Sequence, residues 1–345
     1  RSVAEYTAKL YGCNVGEEVG YIVRFDDMTT EGTIITFMTD GILLRKIQQD
    51  PLLSEYSVVM IDEAHERSVN IDLCLGALKV IQEKRKQEGL PPLKIIISSA
   101  TIEKEVFEKF LPGCKTLEIP GRLYPVDIYY ESTSDPEYTI KAAEKAFEIV
   151  NKILSNEEKR GNILIFMPTV ATIKDTIKYI KHLLMRLEKD LEKDLSNEAE
   201  ILELYGDLPL EEQIKIFEPS DKIRIIVATN IAETSITVPG VKYVIDSGRI
   251  NDVRFNPNRG VEERKIVFHS KAGVTQRAGR AGRLAPGKCF RIYTEEDFQK
   301  MPASTEPEIL KIPLTHVALY ILNLGYEDPL EFPFITPPDL SIIHI

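Results

Sequence analysis

Two consecutive carboxylates, Asp62 and Glu63, follow the apolar run Val58-Val59-Met60-Ile61, and Ala64-His65-Glu66-Arg67-Ser68 completes the string. A buried strand that runs into paired acids puts them at its carboxyl end, the edge at which open α/β sheets bind ligands. There one acid can hold a divalent cation while the other orients a water for in-line attack on a phosphate. Taken alone, the same string also fits an acidic surface turn. A second group lies far downstream, in Gln276-Arg277-Ala278-Gly279-Arg280-Ala281-Gly282-Arg283. Arg280 and Arg283 are three apart, hence on one face of a helix. Paired guanidinium groups suit a phosphate, and the small residues between them allow a close approach to another surface. A basic helix packed on acidic neighbours would read the same way.

Sites of this kind need strands and helices in alternation, and the chain supplies them. Short, β-branched apolar runs at 33–37, 57–61, 93–98, 162–166, 223–228, 242–245 and 289–293 read as strands. The central ones are continuous rather than alternating, as parallel strands covered on both faces must be. Ile140, Ala143, Phe147, Val150 and Leu154 recur at steps of three and four, which predicts an amphipathic helix over 140–154. The expected fold class is therefore α/β, with parallel sheets flanked by helices. A polar stretch at 131–138 marks a boundary, so that 1–130 forms a first domain and 131–306 a second. Residues 307–345, helical at 314–324 and then rich in Pro, read as the start of a third module. The charged run 181–203 reads as one solvent-facing helix.

Composition narrows the class further. The 345 residues are 43% hydrophobic and 28% charged, ordinary for a globular protein and unlike a disordered, collagen-like or coiled-coil chain. No apolar run reaches the ~18–20 residues that cross a bilayer, so no membrane partner is expected. Cys13, Cys74, Cys114 and Cys289 lie far apart and the five His are scattered; free thiols and a cytoplasmic or, in a eukaryote, nuclear location are the expectation. With neither a leader segment nor an initiator Met, the chain is expected to begin within a longer one. The net charge of −11 is an average. Between Arg249 and Arg291, eight Arg and three Lys face only Asp252, Glu262 and Glu263, a local +8 that leaves −19 elsewhere. Such a block suits a localised anion site.

The string Asp62-Glu63-Ala64-His65 resembles motif II of the DEAH/RHA family of superfamily 2 RNA helicases. Thr39-Asp40-Gly41-Ile42-Leu43-Leu44-Arg45 is similar to that family's RNA-contacting segment. Ser99-Ala100-Thr101 resembles motif III, Thr229-Asn230-Ile231-Ala232-Glu233-Thr234-Ser235 motif V, and the Gln276 to Arg283 string motif VI. The resemblance covers nearly the whole chain, in the family's order. It implies two RecA-like domains followed by the start of a winged-helix module. It also implies an ATP-dependent RNA helicase using ATP and Mg2+, moving 3′–5′ on single-stranded RNA and remodelling RNA or RNA–protein complexes. A G-patch-type protein is a candidate activator.

Residue by residue, the resemblance implies that Asp62 and Glu63 hold the metal, that Glu63 activates water, and that His65 belongs to the same catalytic group. Gln276 would orient the attacking water, with Arg280 and Arg283 as arginine fingers. Ser99, Thr101 and Thr234 would lie near the nucleotide, and Tyr6 and Phe217 on the two faces of its base. RNA contacts would come from Thr39, Arg45 and Arg24 in the first domain and from Gly206, Thr229 and Asn230 in the second. Hydroxyls and N–H groups grip a backbone without reading bases, which suits a translocating motor. A hairpin at 250–256 and 261–269, turning at Asn256-Pro257-Asn258-Arg259-Gly260, would carry Arg254, Arg259, Arg264 and Lys265 to the RNA path.

Three departures from the family pattern matter. No Gly-x-x-x-x-Gly-Lys-[Ser/Thr] phosphate loop occurs in the 345 residues, so the chain by itself is expected to bind ATP poorly. Tyr6 replaces the family's stacking Arg. Asp207, after Tyr205-Gly206, stands where a Ser that binds RNA phosphate is usual, and a carboxylate there repels phosphate. Two further classes remain open at this level: a non-catalytic RNA-binding scaffold and a superfamily 2 DNA helicase.

Overall fold

Each apolar run forms a strand, and the chain divides into two compact units around them. Arg1–Thr116, Phe255–Glu262 and Glu306–Ile345 form the first unit, Leu117–Arg254 and Glu263–Thr305 the second. The computed structural model describes residues 1–100, 104–119, 121, 124–133, 136–192, 194–234 and 236–338. No helix among them is long and apolar enough to cross a membrane, and all four cysteines are free.

The first unit runs α1 (Ser2–Tyr11), β1 (Val19–Val23), β2 (Asp26–Met28), β3 (Ile35–Met38), α2 (Asp40–Gln49), β4 (Val58–Ile61), α3 (Val69–Gln87), β5 (Lys94–Ile97) and α4 (Lys104–Phe110). β1 pairs antiparallel with β2 and parallel with β3, whereas β4 pairs parallel with β5, Ile61 opposite Ile97. Among the described residues these are two separate sheets. α3 starts where the Ser68 hydroxyl accepts from the Ile71 N–H at 3.2 Å, and it is buried on nearly every side through Leu73, Leu75, Leu78 and Ile81.

The second unit continues with β6 (Val126–Tyr130), α5 (Tyr138–Leu154), β7 (Asn162–Phe166), α6 (Val170–Leu191), β8 (Ala199–Leu204), α7 (Leu210–Ile214), β9 (Ile223–Ala228), β10 (Val241–Asp246), β11 (Arg249–Asn256), β12 (Val261–Phe268), α8 (Lys271–Gly279), β13 (Gly287–Arg291) and α9 (Glu295–Lys300). Six of these strands form one sheet in the order β6-β13-β10-β7-β9-β8, with every pairing parallel. Residues on β7 and just after it alternate between two cores. Ile163, Ile165 and Met167 pack with Ala146, Ile149 and Ile173 of α5 and α6. Leu164 and Phe166 pack with Ala278 and Ala281. Both faces are covered, which is why these strands read as unbroken apolar runs.

Three sequence expectations change. Val126–Tyr130, read as the end of the first domain, is the edge strand of the second sheet, held to Gly287–Arg291. The charged run 181–203 is the end of α6 followed by strand β8; because β8 is the other edge strand, it is only half-buried, which tolerates Glu203 and Glu200, the latter paired with Arg224. Finally, the tail does not build a core of its own among the described residues. Ile309, Leu314, Val317 and Ile321, the last two on α10 (Thr315–Asn323), share one core with Leu75 and Leu78 of α3, as does Phe332.

The chain passes close at Gly76, where a Cβ would lie 2.4 Å from the Phe332 ring. Phe332 is buried and cannot yield cheaply. Gly76→Ala is therefore expected to lower unfolding stability by about 1–3 kcal/mol, measured by urea denaturation. Combining it with Phe332→Leu should recover part of the loss.

Candidate functional site

The acidic loop is built by extending the β4–β5 ladder beyond both strands. Ser98 N donates to Ile61 O at 2.8 Å and Ala64 N to Ser98 O at 3.0 Å, so the Asp62-Glu63 and Ser99-Ala100 loops leave the sheet side by side. Asp62 is exposed, one carboxylate oxygen accepting from Glu63 N at 3.0 Å. Glu63 (φ 52°) and Arg67 (φ 49°) both adopt the left-handed region around a single 3-10 turn, Ala64–Glu66. Side chains favour that region poorly, so surrounding bonds must impose it.

His65 supplies one such bond. Its Nδ1 accepts from Ala100 N at 3.2 Å, and its Nε2 lies 3.3 Å from Glu63 Oε2. A neutral ring that accepts at Nδ1 carries its proton on Nε2, so the geometry assigns an N–H directed at Glu63. With its side chain 6% exposed, His65 ties the paired acids to the Ser99-Ala100 loop. Thr101 lies outside the described residues.

In the second unit, the loops leaving β7, β8 and β9 share the carboxyl edge of adjacent strands. Met167 N donates to Ala228 O at 2.8 Å and Thr229 N to Leu204 O at 3.0 Å. Gly206, Thr229 and Asn230 are thereby gathered on one edge. Gly206 is exposed, and a Cβ there would meet nothing within 4 Å, leaving its backbone open to approach. Asp207 is exposed beside it.

The Gln276 to Arg283 string departs from a single helix. α8 ends at Gly279, and Arg280–Gly282 is one 3-10 turn. The turn is pulled out of helix because Gly282 O accepts from Tyr124 N at 2.8 Å, an approach that a Cβ on Gly282 would block at 2.5 Å from Tyr124 O. Arg280 is buried and donates to Ile236 O at 3.3 Å; exposed Arg283 donates to Thr237 Oγ1 at 2.5 Å. Both arginines thus grip the segment just after the Thr229 to Ser235 string. Gln276 is half-buried on α8.

Between those arginines and the sheet lies a buried network that the sequence reading did not assign. Arg277, 1% exposed, donates from Nε to Glu233 Oε2 at 2.9 Å, and from Nη1 to Asp246 Oδ1 at 2.9 Å and Arg249 O at 3.2 Å. His269 Nε2 lies 2.9 Å from Glu233 Oε1, and the Tyr293 hydroxyl donates to Asp246 Oδ2 at 3.0 Å. The Phe166 ring lies 4.9 Å from the guanidinium carbon. Gly273 lets α8 cross the His269 ring, since a Cβ would lie 2.0 Å from Nε2. Burial alone would raise the Glu233 carboxyl, but the charge of Arg277 and the bond to His269 hold it below the usual glutamate range. No sequence signal separates Arg277 from its neighbours, because an arginine's letter is the same inside and out.

The +8 block is correspondingly divided. Arg249 stacks between Tyr138 and Phe268 at 4.8 and 4.7 Å, and Arg291, 4% exposed, lies 4.3 Å over Phe298. With Arg277, these charges serve the interior. The hairpin β11–β12 forms as expected, Asn256 Oδ1 accepting from Asn258 N at 3.1 Å and Gly260 taking φ 65°. Arg259 at its tip is exposed, as are Arg264 and Lys265; Arg254 pairs with Asp252 at 2.6 Å and Lys265 lies 3.2 Å from Glu263.

The remaining candidates are distributed singly. Tyr6 on α1 is 63% exposed and belongs to the first unit; Phe217, 47% exposed, follows α7 in the second. Thr39 precedes α2 without capping it through its side chain, and Arg45 is exposed on the same helix. Arg24 is exposed, its guanidinium 4.9 Å over the ring of Phe25. Ser99 is exposed and Thr234 half-buried.

A parallel α/β sheet with phosphate-type loops at its carboxyl edge, and paired acids at the end of a parallel strand, are features of the RecA-like motor class. Comparison with known proteins gives the particular family. Residues 145–285 match the model of the helicase conserved C-terminal domain. The chain is 37% identical to the pre-mRNA-splicing factor ATP-dependent RNA helicase DEAH10 of Arabidopsis thaliana, over 99% of this chain and 52% of that protein. It is 42% identical to the ATP-dependent RNA helicase HrpA of Borreliella burgdorferi, over 99% of this chain and 40% of that one. The crystal structure of the Escherichia coli DEAH/RHA helicase HrpB superposes with a TM-score of 0.83 at 30% identity, over 99% of this chain and 42% of that one. The chain belongs to the DEAH/RHA family of superfamily 2 helicases, and it spans about half or less of the length of these relatives.

Removing the buried guanidinium should leave Glu233 and Asp246 uncompensated. Arg277→Met is expected to cost about 3–5 kcal/mol in chemical denaturation. Because the folded Glu233 pKa is depressed, its contribution is complete above the ordinary glutamate range and is lost as pH falls through the lower folded value. In Arg277→Met, that acid-side loss should begin at a higher pH.

Proposed function

We propose that the protein is an ATP-dependent RNA helicase whose hydrolytic step uses Glu63 and whose two units step 3′–5′ along single-stranded RNA, remodelling RNA or RNA–protein complexes. The observation that carries this is the fixed histidine. Glu63 stands at the end of a parallel strand, faced by the Nε2 of a ring whose other nitrogen is occupied by Ala100 N–H. A carboxylate held in this way can orient a water and take its proton as the water attacks a phosphate. Asp62, exposed and with only one oxygen engaged by Glu63 N, has the hard oxygen donor that Mg2+ accompanying a nucleotide prefers.

In this reading Arg280 and Arg283 bear the charge of the reacting phosphate, and Gln276 orients the water. Thr39, Arg45 and Arg24 serve the RNA backbone from the first unit, with Gly206, Thr229 and Asn230 from the second. Arg259 joins them from the hairpin tip, while the pairing of Arg254 with Asp252 reduces the share the sequence assigns to it. Tyr6 and Phe217 serve the nucleotide base. The G-patch-type activator rests on the family resemblance, and stimulation of hydrolysis by a purified G-patch peptide would test it.

Two measurements on the full-length protein test the reading. Glu63→Gln should lower RNA-stimulated ATP hydrolysis by about a hundredfold or more while RNA affinity, read by fluorescence anisotropy, stays within about twofold; normal turnover would remove the base assignment, and stronger stimulation by DNA would remove the RNA assignment. Arg259→Ala should make log affinity for single-stranded RNA less steep in log salt by about 0.7, whereas Arg254→Ala should change that slope less.

A further inference from the structure

The loop that carries Glu63 is clasped from a distance. Glu308 N donates to Arg67 O at 3.0 Å, and Glu308 Oε2 accepts from Val69 N at 2.8 Å across 239 residues of chain. Arg67, 3% exposed, forms a two-pronged pair with Asp72, Nε to Oδ1 and Nη2 to Oδ2 both at 2.9 Å. The same Nη2 reaches Thr336 Oγ1 at 2.8 Å, 269 residues further on. Phe332, in the notch at Gly76, anchors the segment between those two points.

These bonds are more than α3 needs for its own start. Ser68 already caps the helix locally, and the helix is buried along most of its length. What Glu308 and Thr336 add falls on Arg67 and Val69, immediately after the 3-10 turn whose other flank is Glu63. Two left-handed side-chain residues bracket that turn, a conformation that persists only where the surroundings over-determine it. The His65 link restrains the turn from the Ser99-Ala100 side. The clasp restrains it from the other side, and the carboxylate of Glu308 also faces the positive end of α3.

We infer that the segment from Glu308 to Thr336 sets the orientation of Glu63, with Glu308 and Thr336 as positioning residues for hydrolysis, so that anything that displaces this segment slows turnover without touching the nucleotide. The inference rests on the reading of Glu63 as the water-activating carboxylate. It assigns a mechanistic role to residues that touch neither substrate nor the acids.

The test uses the full-length protein in four forms: wild type, Glu308→Ala, Glu308→Gln and Thr336→Val. Glu308→Ala should lower kcat for RNA-stimulated ATP hydrolysis about tenfold, as expected when a catalytic group is misplaced, with KM for ATP within about twofold. Glu308→Gln keeps an oxygen for Val69 N–H and should recover most of the rate. Thr336→Val should shift kcat in the same direction by a smaller factor. Hydrogen exchange of the amides at 63–68 should quicken in Glu308→Ala and return towards wild type in Glu308→Gln. Unchanged kcat and exchange in the Ala variant would overturn the inference. So would a loss of rate that follows the melting temperature with no rescue by Gln, since a mere strut behaves that way. If Glu308→Ala does not fold, Thr336→Val against wild type carries the test, and unchanged kcat with unchanged exchange at 63–68 in that variant would overturn the inference. Normal turnover by Glu63→Gln would instead strike the base assignment, leaving the exchange measurement to judge the clasp by itself.

Discussion

A guanidinium taken almost wholly out of water must be neutralised and hydrogen-bonded where it sits, or the fold around it fails. Arg277 meets this condition with two carboxylates, a backbone carbonyl and an aromatic face, each from a different part of the chain. Glu233 comes from the loop after β9, Asp246 from the end of β10, and Arg249 from the start of β11. His269 and Tyr293 bond the other oxygen of each carboxylate. The network thereby fixes α8 against the sheet and Glu233 against α8. Arg280 and Arg283, which continue from α8, inherit that position and hold Ile236 and Thr237 in turn. Glu233 in the loop after β9 and the turn that carries Arg280 and Arg283 are organised around one buried charge.

The first unit solves a related problem by backbone register. Parallel pairing of β4 with β5 delivers two loops to the same edge, and two further backbone bonds carry the ladder beyond the strands. His65 then converts proximity into orientation by spending one nitrogen on Ala100 and the other on Glu63. A shift of the 99–100 loop therefore reaches Glu63 through the ring as well as through the bond from Ala64 N to Ser98 O.

Much of this was legible in the amino-acid string. The unbroken apolar runs at 162–166 and 223–228 predicted buried parallel strands, and the structure has them at those residues because both faces are covered. The acids at 62 and 63 follow a strand as expected, but that strand is buried on alternate residues only, Val58 and Met60 being exposed, so it is not the two-sided buried strand its apolar run predicts. Less legible were the edges. β8 carries Glu200 and Glu203 and looks helical by charge, since an edge strand is only half-buried and admits carboxylates on either face. β6 lies outside every predicted run, its pairing with β13 supplied by a partner about 160 residues away. The tail read as a new module because helical periodicity says that a face is buried, not against what.

Local pattern by itself determined the central strands and the helix that ends at Leu154, where the acidic and basic strings stand, and which family they resemble. These are properties of spacing, and spacing is written in the chain. Tertiary structure alone decided what each charge is for. Arg277 and Arg291 sit in the same basic block as Arg259, yet the first two are buried and the third is exposed. It also decided that Glu308 and Thr336 close over Arg67, because hydrogen bonds across 239 and 269 residues depend on how the whole chain packs. Whether a charge meets water, a phosphate or another side chain is a matter of burial, and burial is a property of the assembled fold.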